Sequence, residues 1–256
     1  RMNLQIYMSG ANPIINESNL IQADMQQGGI YYYPNGTVMK IVGVPVHTVI
    51  GYILGYQKSI FENATLAKEF KSEYGFAFNP SNLTSYSQLL DIAQFLNQTH
   101  PTKYALLFPD GPYSTISAYA PLLEYYALKD NLPNYTVTVP GYYSLLMHTN
   151  NHWTTAFNTT AGIQALEMYK KLIQFQPPMS VQPIGYAQMY ELPMSGEYAM
   201  FIGWTSFIPL YWNNASVSKI AGNLGIALLP GGMTGLAPTF LGINPNNPNT
   251  KIAAEF

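Results

Sequence analysis

Short apolar runs of strand length alternate along this 256-residue chain with stretches of helical periodicity, and that alternation restricts the fold more than any other feature. Val38-Met39-Lys40-Ile41-Val42 reads as a strand. Residues 57–74 read as a helix, because Leu66, Phe70 and Tyr74 recur at i, i+4 and i+8 and Gly75 follows as a stop. Ser85-Tyr86-Ser87-Gln88 has capping-box form ahead of Leu89, Ile92, Ala93 and Leu96. Residues 104–108 form an apolar strand that runs into Pro109-Asp110-Gly111-Pro112-Tyr113 and a helix to about Leu128. Residues 135–139 are β-rich, and Thr159 and Thr160 cap a helix to about Phe175 with Ile163, Leu166 and Ile173 as its apolar positions. A short helix near 186–192, strands at 199–203, 225–229 and 240–243, and a helical stretch from Phe207 complete the pattern. Such alternation predicts an α/β fold with a mainly parallel sheet.

What the surface of that fold offers is unusual. Charged residues make up 9% of the chain, against about 25% in ordinary soluble proteins, and uncharged hydrogen-bonding side chains carry the polarity instead. The net charge is −2 and the basic residues are scattered, so nucleic acid is excluded as a partner. The absence of cysteine rules out disulfides and thiol chemistry. Asn-X-Ser/Thr occurs at Asn16, Asn35, Asn63, Asn82, Asn97, Asn134, Asn158 and Asn214, where composition alone gives ~3 such triplets. The excess predicts a glycosylated, extracellular face. Few charges also suit acid, since carboxylates protonate near pH ~4 and leave cations unbalanced. Residues 198–218 lack charge, but Pro209, Asn213 and Asn214 interrupt them well short of the ~20 apolar residues a span needs. Any membrane anchor is expected outside this sequence.

Catalytic signatures are wanting. The chain has no Gly-X-Ser-X-Gly, Walker loop or dinucleotide fingerprint. Glu69 and Glu73 share a helix face with Lys68 and Lys71 nearby, the pattern of a solvated surface. His148 and His152 have the i, i+4 spacing of metal ligands, yet Thr149-Asn150-Asn151 between them reads as a loop, so no metal and no cofactor is expected. Binding fares better. Asp110-Gly111-Pro112-Tyr113 sits where a strand's carboxyl end meets a helix start, the usual ligand position in open α/β sheets. There Asp110 is expected to cap the helix, Pro112 to occupy its first turn, and Tyr113 to project from its mouth. A plain helix start has the same sequence. The segment Gly203-Trp204-Thr205-Ser206 ends a second strand with an aromatic, which serves equally as a stacking surface or as core.

In this order, these segments resemble the extracellular solute-binding proteins of sugar ABC transporters, the family of maltose-binding protein. Asn35-Gly36-Thr37, Gly43-Val44-Pro45, Ile53-Leu54-Gly55-Tyr56 and Phe61 look like the family's passage into its second lobe. Leu83-Thr84-Ser85-Tyr86 with Leu89-Leu90 looks like a helix start of that lobe. The stretch from Met194-Ser195-Gly196-Glu197 through Ala199-Met200-Phe201 to Gly203-Trp204 is similar to the family's glycine signature, the most specific match. Residues 225–232, Leu241-Gly242-Ile243 and Ala253-Ala254-Glu255-Phe256 look like its return across the hinge. The resemblance implies a two-lobe, periplasmic-binding-protein-like fold closing on ligand about strand hinges near residues 48–52 and 236–241. It divides the chain into a partial first lobe over 1–50, a second α/β lobe over 51–238 and a return to the first lobe over 239–256, truncated at both ends.

By the same resemblance, Gly111-Pro112-Tyr113 matches a ligand-contacting Glu-Pro-Tyr, with Asp110 standing in for the lost carboxylate. The family's stacking tryptophan falls at Ser206, two positions after Trp204, and a ligand-contacting acid falls near Val49 and Ile50, leaving His47 and Thr48 as the nearest polar residues. The implied function is a non-enzymatic, monomeric, cell-surface subunit of an importer. It captures a sugar or oligosaccharide and delivers it to the ABC transporter's membrane permease subunits. A surface-structural or adhesion glycoprotein, a binder of a non-sugar solute and a glycan-acting hydrolase are the alternatives.

Overall fold

The computed structural model describes residues 2–9, 13–20, 25, 29–33, 37–133, 135, 145–149, 152–232 and 236–255; at 17, 32, 46–50, 148, 149, 152, 153 and 236–239 the description covers backbone only. The strands, in chain order, are β1 (Ile30–Tyr32), β2 (Val38–Ile41), β3 (Val44–Ile50), β4 (Tyr52–Gln57), β5 (Tyr104–Leu107), β6 (Leu146–Thr149), β7 (His152–Thr155), β8 (Tyr198–Trp204), β9 (Leu224–Leu228) and β10 (Leu236–Leu241). The helices are α1 (Gln5–Met8), α2 (Lys58–Phe61), α3 (Ala64–Tyr74), α4 (Tyr86–Thr99), α5 (Thr115–Lys129), α6 (Thr160–Leu172), α7 (Tyr186–Glu191) and α8 (Thr250–Glu255). They divide into two compact units, Arg1–Val49 with Leu236–Phe256 and, separately, Ile50–Gly235.

The first unit is small. Strands β1 and β2 pair antiparallel, with Ile30 opposite Ile41, and β3 pairs with β10. Its core gathers Leu4, Met25, Ile41 and Ile243, with half-buried Met2, Tyr7, Leu20 and Val44 packed around them. The Leu4 amide donates to the Ile41 carbonyl, fixing α1 beside β2. The turn signal Pro34-Asn35-Gly36 lies outside the described residues.

The larger unit is built on a four-stranded sheet of order β5-β8-β4-β9. All seven residues of β8 are buried, as expected of a central strand covered on both faces. Strand β8 runs parallel to β5 but antiparallel to β4, and β4 is antiparallel to β9. The expected mainly parallel sheet is therefore mixed: β5, β8 and β9 point one way, and β4 is wedged between two of them in the opposite sense. The sheet has little room to spare. The space a Gly55 side chain would fill holds the Phe201 ring, that of Gly203 holds Trp212, and that of Gly225 holds Tyr56. Interiors packed at this density leave large rings nowhere else to go.

Helix boundaries follow local chemistry. Asn63 accepts hydrogen bonds from the amides of Thr65 and Leu66, so it starts α3 afresh and breaks the expected helix 57–74 after Phe61. Gly75 ends α3 in the left-handed conformation. Ser85 caps α4 through the Gln88 amide, while the Gln88 side chain reaches back to Thr84 instead of closing the box on Ser85. Thr159 caps α6. The face of α6 that packs inward is Ala161, Ala165, Met168 and Leu172; Ile163 and Leu166, the expected apolar positions, are exposed. Most of the β-rich run 135–139 lies outside the described residues, and the last strand is Leu236–Leu241 instead of residues 240–243.

Candidate ligand-binding site

Because β5 and β8 are parallel neighbours, with Leu107 opposite Phe201, their carboxyl ends open on the same edge of the sheet. Residues 110–113 follow the first of these ends, and Trp204 with Ser206 closes the second. That edge is where ligands collect in open α/β sheets.

Asp110 is only 5% exposed. Its Oδ1 accepts the Ile184 amide at 2.7 Å and its Oδ2 accepts Gln176 Nε2 at 2.9 Å. The same Gln176 side chain, through Oε1, accepts the Phe108 amide. Asp110 does not cap α5, whose N-cap, Ser114, makes no side-chain capping bond. It spends its carboxylate inside the protein, satisfying donors that would otherwise be buried unpaired.

The rest of the loop is held as firmly. The Ile184 carbonyl accepts from the amides of Asp110 and Gly111 and from Ser114 Oγ at 2.6 Å. A side chain at Gly111 would strike the backbone of Ile184 and Gly185, so only glycine permits this approach. The Tyr169 hydroxyl donates to the Pro109 carbonyl at 3.0 Å, and burial pushes its pKa up to about 12, with the Asp110 charge adding to the rise and a hydrogen bond to Thr115 opposing it.

From this base Tyr113 stands out, 88% exposed and with φ of 66°. The left-handed region costs a residue with a Cβ about 1–2 kcal/mol, and surrounding structure must hold it there. Part of the hold is visible: the Tyr186 hydroxyl, on α7, donates to the Tyr113 carbonyl at 3.0 Å. Pro112, beside it, is exposed as well.

Trp204 is placed differently. It is 9% exposed, and its ring lies on Tyr52 with centroids 4.2 Å apart. Tyr52 in turn donates its hydroxyl to Ser117 Oγ on α5. Ser206 is half-buried in the turn after β8. Among the described residues, no hydrogen bond or ring contact joins Tyr113 to Trp204 or Ser206. His47 and Thr48 belong to β3, and their side chains lie outside the described set. Gln176, Ile184 and Tyr186, which fix the loop, escaped sequence reasoning because they lie 66 to 74 positions from the residues they hold and carry no local motif. Among the described residues no cluster of three His, Asp or Glu could hold a metal ion. No helix among them is long and apolar enough to cross a membrane.

Comparison with solved structures decides what this arrangement is built like. An ABC transporter solute-binding protein from Agrobacterium vitis S4, with bound D-mannitol, superposes with a TM-score of 0.62 over 99% of this chain and 53% of its own, at 15% identity. The chain has the fold of ABC transporter solute-binding proteins. A solute-binding protein of Agrobacterium radiobacter K84 in complex with ribitol matches equally well, with a TM-score of 0.62, 17% identity, and 99% and 55% of the two chains covered. Maltose-bound MalE3 of T. maritima follows at 0.57, 18% identity, and 91% and 55%. The chain spans about half the length of these solute-binding proteins. No protein-family model and no curated protein matches the chain by sequence.

Proposed function

We propose that this chain is part of the extracytoplasmic substrate-binding subunit of an ABC importer, taking a sugar or sugar alcohol and passing it to the membrane permease. The observation that carries the reading is Tyr113, an exposed aromatic ring held in a left-handed conformation at the carboxyl edge of β5. A residue with a Cβ held in the left-handed region is a costly arrangement that clusters at functional sites. A pyranose or an extended polyol offers a C–H face that an aromatic ring covers well, with hydroxyls at its rim for polar partners. Proteins of the same fold hold D-mannitol, ribitol and maltose, all uncharged and polyhydroxylated. A charge-poor surface suits such ligands, because discrimination then rests on shape and neutral hydrogen bonds.

The subunit binds without turnover, acts as a monomer and works at the cell exterior. Ser206 and the neighbouring Thr205 supply hydroxyls at the end of β8, the strand beside β5. The test is a fluorescence titration of the full-length protein with monosaccharides, disaccharides and sugar alcohols, since Trp204 reports on the same edge. A saturable change is expected with one class of ligand, recovered chemically unaltered. Tyr113→Ala is expected to weaken it by about 1–3 kcal/mol. Silence across the panel, or full affinity in the variant, overturns the reading.

A further inference from the structure

Independently of any ligand, half of the six triplets Asn-X-Ser/Thr in the larger unit fall in one stretch of it. Three of them, at Asn63, Asn82 and Asn97, fall in the stretch that leads from the end of β4 to the start of β5. Both of those strand ends lie on the amino edge of β8. At the end of β4, Gln57 donates to the carbonyls of Gly196 and Tyr198, and at the start of β5, Tyr104 pairs with Tyr198. Asn63 follows six residues after Gln57. Asn97 sits in the last turn of α4, just before β5. Asn82 is tethered nearby, for Ser81 hydrogen-bonds to Tyr56, next to the end of β4.

All three asparagines are exposed. Asn63 uses only its carbonyl oxygen, accepting the amides of Thr65 at 3.0 Å and Leu66 at 3.2 Å, so its amide nitrogen faces solvent beside the threonine of its own triplet. Neither Asn82 nor Asn97 commits its side-chain amide to a protein group among the described residues. Asn214 differs. It is half-buried, and its Nδ2 donates to the Leu210 carbonyl at 3.3 Å.

We infer that Asn63, Asn82 and Asn97 carry N-linked glycans, forming a sugar-coated end of the unit on the edge opposite Tyr113 and Trp204. The donor is a polyprenyl-phosphate-linked oligosaccharide. The asparagine Nδ2 forms a bond to the anomeric carbon, the bond from that carbon to the lipid phosphate oxygen breaks, and the amide loses one proton as the lipid phosphate leaves as an anion. The hydroxyl two residues on is the feature the transferase reads. Glycans at this end leave the carboxyl edge of the sheet clear.

The decisive experiment is peptide mass spectrometry of the protein purified from its native cells, together with the variants Thr65→Ala and Asn63→Gln expressed there. Hexose-type mass additions are expected on all three peptides, with the Asn214 peptide bare. Thr65→Ala and Asn63→Gln are each expected to strip the addition from the Asn63 peptide alone. A bare peptide among the three overturns the inference. So does an addition that survives Asn63→Gln, which places the sugar on a hydroxyl, or occupancy at Asn214.

Discussion

Two parallel strands lie side by side in the larger unit, and each ends in a glycine-containing segment with an aromatic residue, yet the two endings do opposite things. After β5, the loop is tied by its backbone to residues 184–186 and turns Tyr113 out into solvent. After β8, Trp204 stays in the core against Tyr52. The glycines explain the contrast. Gly111 is small so that another stretch of backbone can come close, which lifts the following residues away from the core; Gly203 is small so that the Trp212 ring can enter the sheet, which draws its surroundings inward. An aromatic at a strand's end thus becomes a binding surface or a core residue according to what its neighbouring glycine admits.

The contrast can be broken at each of its supports. Trp204→Ala is expected to cost about 4 kcal/mol of stability, the range for emptying a buried indole site, measured by urea unfolding. A loss below about 1 kcal/mol would move Trp204 from the core to the binding surface. Asp110→Ala is expected to cost about 3 kcal/mol, because the Ile184 amide and the Gln176 side chain lose a charged acceptor while still buried. Near-wild-type stability in that variant would mean that Asp110 is not what secures the loop.

A smaller effect is expected from Tyr169→Phe, about 1 kcal/mol at neutral pH for the lost bond to Pro109. Its pH dependence sharpens the test. In the fold Tyr169 keeps its proton to about pH 12, whereas in the unfolded chain it ionises near pH ~10. Its contribution is therefore whole below pH ~10 and is lost as the pH climbs from there toward pH ~12. The wild type is expected to weaken over that window more than the phenylalanine variant does; parallel curves would show that the hydroxyl is not held in the interior. The least change in stability, and of the opposite sign, is expected for Tyr113→Gly. Relief of the left-handed backbone adds up to about 1 kcal/mol, while ligand affinity falls. A variant both less stable and equally tight in binding would make Tyr113 structural.

Much of the fold was legible because its signals are local. The caps at Ser85 and Thr159, the stop at Gly75 and the apolar run of β8 each act within a few residues and formed where read, although the capping box at Ser85 closes by only one of its two bonds. Strand β4 was not read as a strand at all, and its sense was not legible either, since strand direction depends on partners that lie about 150 residues away. The apolar positions of α6 were misassigned for a related reason: Ala165 and Met168 give a weaker sequence signal than Ile163 and Leu166, and only the packing partner decides which face turns in. At the candidate site, the strand-end position of residues 110–113 followed from sequence. The interior role of Asp110 did not, because its donors arrive from beyond α6.

Three glycines of the four-stranded sheet carry a consequence for how this chain can drift. Gly55, Gly203 and Gly225 are each one half of a socket whose other half is Phe201, Trp212 or Tyr56. Neither half can change first without a collision or a void, so each pair has to move together. In relatives of this chain, a residue larger than glycine at position 203 should be accompanied by a smaller side chain at 212, and likewise for 55 with 201 and 225 with 56. Substitutions that stall singly become passable in twos, and the sheet should keep the imprint of those paired steps long after the surface has lost its ancestry.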